Sequence, residues 1–146
     1  MGIIISNRIL AANKMLGLPS PILLCSKRND YCKAISDAGI QTISLNLPLA
    51  KKLVGKNLSE ITANITAIVL QLMPDGTPIL LTDYEMLFDP RYNLDVLKLF
   101  SEIARHSKLI VKWCGSFDND SLLYSEPGYD DYSKYRISDY EIYCVV

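Results

Sequence analysis

Ile22-Leu-Leu-Cys-Ser-Lys-Arg-Asn-Asp-Tyr-Cys-Lys-Ala34, "ILLCSKRNDYCKA", opens on an apolar run, passes through a polar turn and enters an amphipathic segment that Gly39 ends. A short continuous apolar run bounded by turn residues reads as a strand buried on both faces, and the spacing that follows reads as a helix over about 29–38. A strand feeding directly into a helix begins a parallel β-α-β unit. This reading decides the fold class.

The same alternation continues along the chain. Apolar runs recur at Thr42–Leu45, Ile79–Leu81, Leu109–Trp113 and Ile142–Val146. Asn57 with Glu60 resembles a capping box, and Leu58, Ile61, Ile65, Ile68 and Leu72 follow at helical spacing until Pro74-Asp75-Gly76. Asn93 similarly precedes Val96, Leu97, Phe100, Ile103 and Ala104, and a first amphipathic helical segment is expected over about residues 3–16. The expectation is an α/β three-layer sandwich, a single domain over 1–146, with a mainly parallel sheet of about five strands. Ligands of such sheets bind beyond the carboxyl ends of the strands, here Cys25-Ser26, Leu45-Asn46, Thr82-Asp83 and Cys114-Gly115-Ser116.

Composition narrows the function classes. With 146 residues, 49% apolar and 21% charged, the chain has an ordinary globular balance. No apolar run approaches the ~20 residues that span a bilayer, and the apolar stretch at the start is too short for a secretory signal. A cytoplasmic protein without membrane contact is expected. Four cysteines without a C-x-x-C pair, beside one histidine, provide no zinc-type ligand set. Net charge is −1, yet residues 1–56 carry eight Lys or Arg against two Asp, and residues 117–146 carry two against seven acids. A basic face near Lys27, Arg28 and Lys33 is one reading of that asymmetry, with phosphate or nucleic acid as its partner.

Two stretches bear on chemistry. In "TPILLTDYEMLFDP", residues 77–90, an apolar strand ends at Asp83. Such an aspartate can hold Mg²⁺ through water in nucleotide-hydrolysing α/β proteins, and Glu85 sits where an acid could polarise the attacking water. A strand-closing aspartate is equally a turn former. The opening stretch sits where a phosphate loop would follow, but the two glycines, lysine and hydroxyl of G-x-x-x-x-G-K-[S/T] fall on Ser26, Tyr31, Cys32 and Lys33, and none matches. Ser26, Lys27, Arg28 and Lys33 are left as a degenerate phosphate loop, or as a solvated basic turn with Asn29 or Asp30 capping the helix. In "SLLYSEPGYDDYSKYRISDYEIYCVV", Tyr124, Tyr129, Tyr132 and Tyr135 are interleaved with acids. That composition suits a protein partner, or rings folded back onto the sheet edge.

The runs "ILLTDYEMLFDP" and "KLFSEIARHSKLIVKWCGSFDNDSLLYSEPGYDDYSKY", with the strand-loop-helix near residue 22, resemble BrxF, the small P-loop-type component of type 3 BREX bacteriophage-exclusion systems. The resemblance covers about residues 20–146. It implies a P-loop NTPase-like fold, the bacterial cytoplasm and DNA-modifying, phage-restricting partner proteins. Asp83 then matches the Walker B aspartate and Ser26–Lys33 the Walker A loop, which this chain has emptied.

The first functional expectation is therefore a pseudo-NTPase: a non-catalytic subunit of a phage-defence assembly, needing no cofactor and acting through protein contacts. The second is a divergent ATPase of the same system, with ATP and Mg²⁺ as cofactors and Asp83 and Glu85 as catalytic residues. In a homo-oligomer, Arg91 or Arg105 would act in trans. The third is a nucleic-acid-binding accessory protein using the basic N-terminal half.

Overall fold

The computed structural model describes the backbone of residues 1–146 and all side chains except that of Asn29, so an expected cap at Asn29 lies outside the described residues. In chain order the elements are β1 (Ile3–Ile5), α1 (Ala12–Met15), β2 (Ile22–Leu24), α2 (Asn29–Asp37), β3 (Gln41–Ser44), α3 (Asn46–Leu53), α4 (Leu58–Leu72) and β4 (Ile79–Thr82). Two 3₁₀ turns, Glu85–Phe88 and Pro90–Tyr92, lead to α5 (Val96–Ala104) and β5 (Leu109–Lys112). Then come β6 (Ser116–Asp118), β7 (Ser121–Tyr124), β8 (Ser133–Arg136), a third 3₁₀ turn at Ile137–Asp139 and β9 (Tyr143–Val145).

Six strands form one sheet in the order β1-β9-β2-β5-β4-β3, every neighbouring pair parallel. The chain is thus α/β, as its alternation of runs predicts, with one strand more than expected. β6, β7 and β8 make a separate antiparallel sheet.

Period-two alternation explains why the central strands are apolar throughout. Leu23, Ile79, Leu81, Leu109, Val111 and Cys144 face the core formed with α3, α4, α5 and the small sheet. Ile22, Leu24, Leu80, Ile110 and Val145 face the opposite way, onto α1 and α2 through Met15, Tyr31 and Ile35. Both faces are covered, so these apolar positions exclude water.

Local chemistry fixes the helices. The Asn57 side chain accepts from the Glu60 amide at 2.9 Å, capping the helix as expected there, and its Nδ2 donates to the Glu60 carboxylate at 3.0 Å in place of the backbone bond of a full capping box. At α5 the expected start is corrected: Asp95, not Asn93, caps the helix by accepting from the Lys98 amide at 3.2 Å. Asn93 instead takes φ +49°, a left-handed turn that asparagine tolerates.

The helix expected over residues 3–16 is also corrected. Ile3–Ile5 is an edge strand paired with β9, and only Ala12–Met15 is helical. Three consecutive isoleucines favour extended backbone, and the register Ile3↔Tyr143, Ile4↔Cys144, Ile5↔Val145 supplies the hydrogen bonds.

A candidate site at the carboxyl ends of β2, β4 and β5

Parallel strands bring the ends of β2, β5 and β4 to one side of the sheet. β5 lies between the other two, so the loop after β2 and Asp83 after β4 start about 10 Å apart, two strand spacings. What matters is where each side chain turns from there.

Asp83 turns away from the loop. It adopts φ +50°, a conformation that costs a non-glycine residue about 1 kcal/mol or more. Its carboxylate accepts from the Ser44 hydroxyl at 2.6 Å, and its carbonyl accepts from the Asn46 amide at 2.6 Å. Ser44 ends β3 and Asn46 follows it, on the side of β4 opposite to β2. Glu85 is drawn the same way, accepting from Asn46 Nδ2 at 2.7 Å while Asn46 Oδ1 takes the Met86 amide at 3.1 Å. Asp83 and Glu85 are exposed and share one hydrogen-bonded corner with Ser44 and Asn46.

Tyr84, between them in sequence, points the other way and fills the space at the end of β5. It is fully buried, and its hydroxyl donates to the Lys112 carbonyl at 2.8 Å while accepting from the Cys114 amide at 3.0 Å. Burial raises its phenol far above the ordinary tyrosine range, and burial likewise pushes the Cys114 thiol up to about 11. Neither group is charged near neutral pH. Sequence reasoning missed Tyr84 and Asn46 as organising residues; alternation along the strand carries the only signal for Tyr84, and Asn46 stands out merely as a strand end.

The loop after β2 is occupied by its own structure. The amides of Cys25 and Ser26 both donate to the Val145 carbonyl, at 2.9 and 3.1 Å, and the Arg28 amide donates to Ser26 Oγ at 3.3 Å. A phosphate cradle needs such amides free. The Arg28 guanidinium donates to the carbonyls of Asn7 and Leu10, the latter at 3.1 Å, and to both carboxylate oxygens of Asp30. It also lies 4.5 Å from the centre of the Tyr31 ring. Asp30 is thus paired with Arg28 inside the first turn and does not cap the helix; the Asp30 hydrogen bond raises the guanidinium, and the guanidinium lowers the carboxyl. Tyr31 is buried and its hydroxyl donates to the Leu10 carbonyl at 2.8 Å. Lys27 and Lys33 remain exposed.

Arg28 therefore works as a clasp for the segment after β1. Arg28→Met is expected to speed amide exchange over residues 7–15 while leaving α3, α4 and α5 at wild-type protection; unchanged exchange in that segment would show that the clasp holds nothing.

A cavity of about 350 Å³ opens beside this loop, lined among others by Ser26, Lys27, Arg28, Cys32, Lys112 and Trp113. Its mouth carries cations but no carboxylate, and Asp83 and Glu85 do not reach it. Among the described residues no grouping of His, Cys, Asp and Glu could hold a metal ion. The structure thus brings Ser26, Lys27 and Arg28 together and separates them from Asp83 and Glu85.

The tyrosines divide. Tyr135 is buried among Phe88, Trp113 and Tyr140, and Tyr124 stacks on Phe88 with ring centres 3.8 Å apart. Tyr132 is half-buried, and Tyr129 alone of the four stands clear, 65% exposed. The first two hold the small sheet to the large one; the other two flank the β7–β8 connection. Arg91 is paired with Asp89 at 2.6 Å and Arg105 with Glu102 at 3.3 Å, each on its own local carboxylate.

Among the described residues no helix is long and apolar enough to cross a membrane. Comparison of the chain with protein-family models, with curated proteins and with solved structures finds no match.

Proposed function

We propose that this chain is a non-catalytic, P-loop-like subunit that acts through protein contacts, in keeping with its resemblance to the cytoplasmic BrxF component of BREX phage-defence assemblies. The carrying observation is the separation of the two halves of a nucleotide site. The loop amides at Cys25 and Ser26 are bonded to Val145, the loop arginine is bonded to Asn7, Leu10 and Asp30, and the acidic pair is bonded to Ser44 and Asn46, with Tyr84 turned the other way. Hydrolysis needs Mg²⁺, phosphate donors and an oriented water at one point. Here those elements are split between the ends of β2 and β4, each already bonded to its own neighbours.

One observation favours the second reading, a divergent ATPase using ATP and Mg²⁺: the cavity carries Lys27 and Lys112 at its rim beside the start of α2. That reading requires Asp83 to leave Ser44 and reach around Tyr84.

Fluorescent ATP and ADP, titrated with Mg²⁺ against the wild-type chain and Asp83→Asn, separate the two. Asparagine accepts the left-handed backbone of position 83, so the variant should keep the fold. The expected outcome is no saturable binding to either protein. Saturable binding that the substitution abolishes, or Mg²⁺-dependent hydrolysis sensitive to it, would overturn the non-catalytic assignment.

A further inference from the structure

The outer face of α3 has no partner within the chain. Leu45, Leu49 and Leu53 point into the core, whereas Leu47 and Val54 are 65% and 80% exposed, and Leu58 at the start of α4 is 45% exposed. Residues 47, 51 and 54 are spaced to share one stripe, so Lys51 stands between the two exposed apolar side chains. Lys52 and Lys56 flank it, and no acid occurs from Asn46 to Ser59. An apolar stripe set among three lysines is a surface with a sign.

The β7–β8 connection has the opposite sign. From Ser125 to Tyr132 the chain makes two successive turns, closed by the Tyr129 amide on the Glu126 carbonyl at 3.2 Å and the Tyr132 amide on the Tyr129 carbonyl at 3.1 Å. It presents Glu126, Asp130 and Asp131 without a cation, around exposed Tyr129. Among the described residues none of these three acids, and none of Lys51, Lys52 and Lys56, takes part in an ion pair.

The geometry points to a second copy of this chain as the occupant of the α3 face, its Tyr129 tip seated between Leu47 and Val54 and its three acids over the three lysines. Asn46, the first residue of α3, and Asp130 and Asp131 line the same groove, so the helix and the tip stand on one side of the molecule. A two-fold arrangement then seats each tip on the other's helix, which gives a closed pair rather than an open chain. An exposed tyrosine adds rigid contact area at little entropic cost, and opposed unpaired charges steer the encounter.

This inference rests on the protein-contact reading above and gives that contact its partner. Analytical ultracentrifugation of the intact chain tests it, with two charge-reversed variants: Lys51→Glu/Lys52→Glu and Asp130→Lys/Asp131→Lys. The wild type should sediment as a concentration-dependent dimer, weakening as added salt shortens the screening length. Each variant alone should associate roughly a hundredfold more weakly, because like charges then oppose each other. An equimolar mixture should recover the dimer, since each variant's tip meets the other's helix with opposite charge. Lys51, Lys52 and Asp130 are exposed and Asp131 is half-buried, and thermal unfolding at the wild-type midpoint should confirm that folding is kept.

A wild-type monomer at every concentration overturns the inference, as does a dimer indifferent to both reversals or a mixture that stays monomeric. None of those results bears on nucleotide. Conversely, the ATP titration can fail for the non-catalytic reading while the charge-swap recovery still stands.

Discussion

Replacing Gly115 with alanine is expected to lower stability by about 3 kcal/mol, at the upper end of overpacking effects. A Cβ at this position would lie 1.8 Å from the Leu123 carbonyl oxygen and 3.2 Å from the Trp113 indole nitrogen. The first obstacle is backbone, held by the ladder in which Ser116 pairs with Leu123, so no side-chain rotation relieves it. Gly115 is the point at which the chain leaves the large sheet and crosses closely under the small one. The indole donates to the Ser116 carbonyl at 2.9 Å and fixes that crossing. The urea midpoint of Gly115→Ala measures the effect. An unchanged midpoint would mean that the two sheets do not approach as described.

Tyr84→Phe is expected to cost about 3 kcal/mol although it removes a single oxygen. That hydroxyl serves two backbone groups, the Lys112 carbonyl and the Cys114 amide, and a buried group left unsatisfied costs about 1–3 kcal/mol. The ring itself stays packed edge-on to Phe100, with centres 5.4 Å apart, so the loss belongs to the hydrogen bonds rather than to a cavity. Denaturant unfolding gives the magnitude. Amide exchange gives the place: Cys114 should lose protection before the centre of β5 does. A variant as stable as wild type would show that water can take the hydroxyl's role, and that the end of β5 is wetter than its burial implies.

Strands whose burial is local in sequence were readable from the sequence. Ile22–Leu24, Ile79–Leu81 and Leu109–Val111 are apolar at every position because both faces are covered, and continuous apolar character is what that situation imposes. β1 was not readable. Residues 3–16 fit a helical spacing, and what makes Ile3–Ile5 a strand is β9, more than 130 residues away in the chain. The small sheet was hidden for a related reason: its tyrosines alternate with acids and serines, and only contact with Phe88 and Trp113 shows which rings turn inward.

At the candidate site, residue types were legible and directions were not. Asp83 ends a strand as the sequence suggests, but its left-handed backbone and its bond to Ser44, 39 positions earlier, aim it away from the loop. Arg28 reads as a free cation until Asn7 and Leu10 are brought beside it. Both outcomes depend on pairings of high sequence separation, which local patterns do not encode.

The position of β9 between β1 and β2 sets an order of assembly. The strands β2, β5, β4 and β3 are contiguous in the sheet and complete once residue 112 has formed. β1 touches none of them directly, since its partner in the sheet is β9. During synthesis β1 is therefore made before β2, β3, β4 and β5 and placed after them. Until Tyr143–Val145 arrives, Ile22–Leu24 carries an unpaired apolar edge and Ile3–Ile5 hangs as a free apolar segment, two templates for the wrong neighbour. Closure is slow for the same reason that it is specific: it joins two strands of this sheet that lie far apart in sequence.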